Sequence, residues 1–358
     1  MNGEGKGGAR RAEWPVLDRQ ARGLLPEDVW QKVRALHVAR PWRSALCYAQ
    51  VYAAIAVIIG CAVHLHHWAA TVVAIVLVAG RQHSLYVLNH DASHRGLFRS
   101  PALNKGVATV LSVWPMMHHP EAWSFVQWRR VHILHHRYLF TARDPNYVGR
   151  ERRGDTVRAF TLGRLAFACV RAAMTSPLEF FVGRQDAVDA ALRECAKGQL
   201  GHLRALFLPF SGDPEMERER RAKWVAFAVA VGLVVRTNLW QEALIYWMVP
   251  MYTVYPMILT FMDLTEHAWA EKGSDLNRIA RSTMLGWAAN VVVGNLPRTL
   301  HREHHAFPGV CATDLLSLSR LLDSAGVAPE PLRGISGLLR DVCARPEARP
   351  VGAEAELR

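Results

Sequence analysis

Long uncharged apolar runs alternate along this chain with polar stretches rich in arginine. Residues 1–43 are polar. Within them, 26–37 (PEDVWQKVRALH) puts Val29, Trp30 and Val33 on one side of a short amphipathic helix that begins near Pro26 and is of the kind that lies on a membrane surface. Residues 45–63 carry no charge and are long enough to cross a bilayer as a helix. They begin too late and run too long for a cleaved signal peptide. After a short turn at His64, His66, His67 and Trp68, a second apolar run covers 69–88, broken near its far end by Arg81, Gln82 and His83. A third, 224–238, and a fourth, 242–262, are separated only by the few residues around Arg236. The pattern predicts an all-α integral membrane protein with four transmembrane helices in two hairpins and a cytoplasmic helical cap.

Charge gives the orientation. The net charge is +12, and arginine supplies nearly all of the basic residues because lysine occurs only six times. The outer turns hold one arginine between them. The central section holds Arg129, Arg130, Arg137, Arg143, Arg150, Arg152 and Arg153. The positive-inside rule places both termini and that section in the cytoplasm. The Arg- and Ala-rich composition points to a bacterial inner membrane. Residues 107–117 and 283–294 are apolar but too short to span, so they are expected to be re-entrant or to pack a metal site against the membrane. Residues 160–182, interrupted by Arg164 and Arg171, read as interfacial, and 184–222 as cytosolic helix and loop. The expected organisation is an N-terminal segment (1–43), a membrane domain (44–310) and a cytoplasmic C-terminal segment (311–358) whose tail from about 345 has a disordered composition.

The candidate chemistry lies in three histidine clusters: His90-Asp-Ala-Ser-His94, His132-Ile-Leu-His135-His136 and His301-Arg-Glu-His304-His305. With 17 histidines in 358 residues, an HxxHH motif is expected by chance only about 0.04 times; two occur. Residues spaced by three and four share a helix face, so each cluster can aim ring nitrogens at one point. Neutral imidazole suits iron, zinc, copper and nickel. The six cysteines form no CxxC or other tight pair, which argues against a disulfide framework and thiolate metal sites and leaves nitrogen and oxygen ligands. His37, His83 and His202 have no motif context, His64, His66 and His67 fall on the opposite side of the membrane from the clusters, and His118 and His119, in a Pro-flanked turn, are expected at the surface rather than lining the cavity.

These residues resemble the membrane fatty acid desaturase family, which shares three histidine boxes with related membrane hydroxylases. The resemblance covers roughly residues 45–310. It includes Gly96-Leu97-Phe98 after the first box, Trp128-Arg129 before His132, Asp144-Pro145 after the second box, Asn295-Leu-Pro before the third and Phe307-Pro308 after it. Thr265-Glu266-His267 adds a ninth histidine, often a ligand in the family. The residue four before it, which can hold a metal-bound water, is here Asp263 rather than the asparagine of acyl-CoA desaturases. The resemblance implies two irons. One would take His90, His94, His132, His136 and His305, and the other His135, His267, His301 and His304, with Asp263 nearby. Asp91, Glu266, Glu303 and Asn295 are expected to orient rings, and Arg129 and Arg130 to bind an anionic head group or mark the interface.

The function so implied is O2-dependent desaturation of a lipid acyl chain, with hydroxylation of another apolar substrate as the alternative because the same ligands serve both outcomes. No dinucleotide fingerprint, haem CxxCH or ferredoxin cysteine run is present, so electrons are expected from a separate ferredoxin or cytochrome b5-type donor with its reductase. The expected partners are this donor and a membrane lipid or acyl substrate, with no nucleic acid. A metal transporter would instead carry its polar ligands near the bilayer midplane, and a catalytically dead lipid-binding relative would lack ligands that are all present here.

Overall fold

The structure, a computed structural model, describes residues 25–116, 124–139, 144, 146–147, 150, 161–182, 214–268, 280–294, 299–326 and 330–344. His118, His119, His202, Asn295 and the tail from 345 lie outside the described residues. In chain order the elements are α1 (Glu27–Leu36), α2 (Pro41–Leu65), α3 (Trp68–Ser93), α4 (Pro101–Ala108, continued by a π-turn Thr109–Val113), α5 (Phe125–Tyr138), α6 (Leu162–Val182), α7 (Pro214–Arg236), α8 (Trp240–His267), β1 (Thr283–Met284), α9 (Trp287–Val293), α10 (His301–Ala306), α11 (Leu315–Ser324), β2 (Leu332–Arg333) and α12 (Gly334–Cys343).

Three of these helices, α2, α3 and α8, are long and apolar enough to cross a membrane. Helix α7 falls short of that measure. Its first half is charged, and its uncharged stretch, 224–235, has twelve residues, about 18 Å of helix against a hydrocarbon core of about 30 Å. Helices α2 and α3 form a hairpin. His66 adopts the left-handed conformation at the end of α2, and His67 Nδ1 caps the start of α3 by accepting from Ala69 N at 3.2 Å. Tyr48, Val51 and Ile55 of α2 pack with Ala79, Leu85 and Leu88 of α3 and Tyr255, Ile258 and Met262 of α8. Tyr48 and Tyr52 reach the π-turn after α4, at Ser112 Oγ (3.0 Å) and the Leu111 carbonyl (2.6 Å).

The polar interruption of the second apolar run has a structural cause. Arg81 Nη2 donates to Val291 O (2.6 Å), His83 Nδ1 lies 2.6 Å from Val293 O, and Ser84 Oγ donates to Gly294 O. These are carbonyls at the C-terminal end of α9, which have no partner inside their own helix. Gln82 Nε2 donates to Trp247 O (2.9 Å), where α8 passes through a π segment at Leu244–Met248 ahead of Pro250. Helix α9 therefore packs on α3, as a short apolar segment must when its exposed carbonyls need partners. The approach is close enough that a Cβ on Gly80 would run into the Val292 carbonyl, and one on Gly294 into the Gly80 carbonyl. Gly294 also has φ +112°, a backbone that glycine tolerates and other residues resist.

One expectation is corrected. Helix α1 does not present its apolar side to a membrane surface: Val29 and Val33, with Leu25, pack against Phe307, Val310, Leu315, Leu318 and Leu322. A protein groove formed by α11 and the segment between α10 and α11 buries that stripe, and Arg40 and Arg43 fasten the following turn to Asp314 at 3.1 and 2.9 Å. Packing also continues beyond residue 310. Strand β2 pairs in parallel with β1, and Leu338 and Val342 of α12 pack on Leu165, Leu264 and Leu285. Helix α6 lies against α8 with Leu165 and Ala168 buried while Phe167 and Met174 face outward.

Replacing Gly80 by valine should force α9 off α3. We expect a loss of about 1–3 kcal/mol, read as a lower melting temperature of the detergent-purified protein. Gly60→Val on α2, where nothing lies within 4 Å of the added carbon, should melt like the wild type.

Candidate metal centre

Each histidine box is delivered by a helix whose end is fixed. Helix α3 runs beyond its apolar stretch as far as Ser93, so the first box is its last turn: His90 lies inside it and His94 is its C-terminal capping residue. Arg129 Nε donates to Ser93 O at 2.8 Å and satisfies a terminal carbonyl, which is a role for Arg129 inside the protein. Helix α5 carries the second box. Its first amides are taken by Ser124 Oγ (from Gln127 N, 2.9 Å) and by Glu219 of α7 (from Phe125 N, 2.6 Å, and Val126 N, 3.4 Å). Arg130 Nη1 lies 3.3 Å from Met216 Sδ on α7. Helix α8 likewise continues past its apolar run to His267. The third box is the short helix α10. Its Glu303 is gripped by Ser282 Oγ, Ser319 Oγ (3.0 Å) and Arg302 Nη2 (2.7 Å), so Glu303 anchors the helix.

These helix ends converge. Donor nitrogens of His90, His94, His132, His136 and His304 lie within 4.8 Å of one another, as do those of His135, His267 and His305. His301 joins the second group, its Nε2 2.8 Å from that of His267 and 2.9 Å from that of His305. The groups are neighbours: the rings of His136 and His305 are 4.4 Å apart. The division differs from the expected one in one exchange, His304 going with the first group and His305 with the second. Helix geometry explains it. On α10, His301 and His305 are four apart and share a face, while His304 lies on its flank, about 100° round the helix from His305. On α5 the same rule sends His132 and His136 to the first group and His135 to the second.

Two irons are implied by the resemblance, and the nitrogen geometry tests whether the residues fit metal ions. His132 Nε2 is 2.8 Å from His94 Nε2 and 3.0 Å from His136 Nε2, which is itself 3.0 Å from His304 Nε2. An imidazole nitrogen offers one in-plane proton or one lone pair, so His132 and His136 cannot satisfy two such neighbours by hydrogen bonding. Adjacent nitrogens on a six-coordinate ion with bonds of about 2.1 Å are about 3.0 Å apart. Four rings of the first group are held in the neutral form. Burial, followed by the nearby Arg129, pushes His94 down to about 3, and burial followed by neighbouring imidazoles holds His132, His136 and His304 well below the usual histidine range. Close-set lone pairs with no protons to separate them fit a cation.

Carboxylates stand behind the rings. Asp144 places both oxygens 3.0 Å from His135 Nδ1, Asp91 Oδ1 lies 3.3 Å from His90 Nδ1, and Glu266 Oε2 lies 3.5 Å from His301 Nδ1. Asp91 Oδ2 also accepts from Ala312 N (2.8 Å). A carboxylate on Nδ1 holds the proton there and leaves the Nε2 lone pair for the centre. Asp263 is in neither donor group; both its oxygens are engaged by Arg150 (3.0 and 2.5 Å).

A family model described as fatty acid desaturase matches residues 66–330, well over half of the chain. The chain belongs to the fatty acid desaturase family. No curated protein matches it. Membership makes this desaturase-family protein a membrane-bound oxidoreductase of the desaturase and hydroxylase type, a family that is typically di-iron, and its two histidine groups could each hold a metal ion. Reading its sequence alone passes over three residues that matter here. Asp144 stands out only as part of a motif, Arg150 only as one more basic residue, and Glu219 not at all, because their partners are set by the fold.

Asp144→Ala should weaken metal binding about 10–100-fold without displacing the other rings. Competition against a graded series of chelators measures this, and an unchanged affinity would count against the orienting role. Glu219→Ala should cost about 1 kcal/mol at the start of α5, visible as faster amide exchange there.

Proposed function

We propose that the chain is a di-iron, O2-dependent desaturase that introduces a double bond into a lipid acyl chain. The observation that carries this reading is the pair of adjacent imidazole groups, drawn from four separate helix ends, in a member of the desaturase family. In this reading His90, His94, His132, His136 and His304 hold one iron and His135, His267, His301 and His305 the other. The irons, when bound, supply the reduction of O2 and the removal of hydrogen from an unactivated C–H bond.

The protein's own residues do the holding and orienting. Asp144, Asp91 and Glu266 keep protons on the outer ring nitrogens. Trp128 stacks on His132 at 4.7 Å and fixes its plane. Neutral imidazoles suit the place: anionic ligands beside hydrocarbon cost far more to bury.

We read α2, α3, α7 and α8 as four spans in two hairpins, with both termini, α1 and the histidine groups on the cytoplasmic side of a bacterial inner membrane, because arginine concentrates on that side. Electrons then come from an external ferredoxin or cytochrome b5-type protein, which a basic face attracts. A transporter reading is disfavoured, since the imidazoles gather at helix ends and beyond them rather than in mid-span.

The test is expression beside a suitable reductase, followed by mass spectrometry of lipids. Loss of two hydrogens from an acyl chain is the expected product, whereas gain of one oxygen would make the protein a hydroxylase. His135→Ala and His304→Ala should each abolish turnover and lower bound iron while the protein still inserts into membranes, and full activity in either would contradict the proposal.

A further inference from the structure

Arg150 is an unusual residue in its setting. Its side chain is 4% exposed, yet it carries a full charge. Its fork meets Asp263 edge to edge, Nε to Oδ2 at 3.0 Å and Nη2 to Oδ1 at 2.5 Å, the geometry that ties up both oxygens of a carboxylate. Burial opposes the charge on Arg150, but Asp263, then Asp144 and Glu266, outweigh it and hold the guanidinium protonated.

The three carboxylates share one neighbourhood. Asp144 is bonded to His135, Glu266 faces His301, and Asp263 sits one helical turn before His267 on α8. All three of those histidines belong to the second imidazole group. Among the described residues the first group has one such carboxylate, Asp91 behind His90. Asp144 and Glu266 are committed to outer ring nitrogens. Asp263 shares a helix face with His267 and is a hard oxygen donor of the kind iron accepts. Arg150 engages both of its oxygens.

We propose that Arg150 is a positioning residue that withholds the Asp263 carboxylate from the second metal site and so keeps that site all-imidazole. Resting on the di-iron reading above, this goes beyond it by assigning the ligand set of one iron to a residue that touches neither metal. A buried lysine in its place would keep the charge but lose the two-point grip.

Mössbauer spectra of isotope-enriched wild type, Arg150→Gln, Asp263→Asn and the double variant test it, with iron content measured on each. In Arg150→Gln one of the two iron signals should shift as an oxygen donor enters, with the other unchanged. Asp263→Asn should leave both signals as in wild type, and the double variant should restore them. Wild-type signals from iron-loaded Arg150→Gln, an Asp263→Asn spectrum shifted like that of Arg150→Gln, or a double variant that stays shifted would each overturn the inference. If Arg150→Gln does not accumulate, Arg150→Lys, which keeps the charge but loses the two-point grip, takes its place, and unshifted signals from its iron-loaded form would overturn the inference. Wild-type protein purified without iron would instead overturn the di-iron reading, and this inference with it.

Discussion

Imidazole nitrogens that turn lone pairs toward one another at about 3 Å repel unless a proton or a cation lies between them. That repulsion is the constraint around which the rest of this protein is arranged. His132 and His136 each face two such neighbours, and His301 faces two more. Burial removes the other remedy, protonation, at His132, His136 and His304, which stay uncharged far below neutral pH. The surrounding structure accordingly reads as a set of restraints. Ser124 and Glu219 pin the start of α5, Arg129 closes the end of α3, and Ser282, Ser319 and Arg302 anchor Glu303 on α10. Each works on backbone or side chain one step removed from the rings.

The two HxxHH motifs are used in opposite senses. On α5 the pair four apart serves the first group and the middle histidine the second. On α10 the pair four apart serves the second and the middle histidine the first. With 3.6 residues per turn, i and i+4 lie on one face and i+3 on its flank, so each motif reaches both groups. The exchange of His304 and His305 relative to the family-based expectation follows from that geometry. The first and second groups differ in their surroundings as well: one borders Arg129, the other three carboxylates around Arg150.

Much of this was legible from periodicity and spacing. Three apolar runs became helices long enough to span, and the three boxes and His267 came together. Apolar runs end where charge begins, but helices end where capping groups and left-handed turns allow. That is why α3 and α8 carry their polar last turns further than hydropathy alone locates them. The amphipathic stripe of α1 was visible, but whether it faces lipid or protein depends on the complementary groove of α11 and the segment between α10 and α11, which no local pattern announces. Long-range polar pairs were the least accessible. Glu219 meets Phe125 from 94 residues away and Arg150 meets Asp263 across 113. In a linear reading, each looks like an ordinary charged residue.

The most direct test of the central claim is X-ray absorption at the iron edge of the purified wild-type protein. The account predicts two irons per chain in a shell of imidazole nitrogens at about 2.1 Å, with no sulfur ligand. Protein that is active but carries no iron, or iron bound mainly by sulfur or carboxylate oxygen, would contradict it.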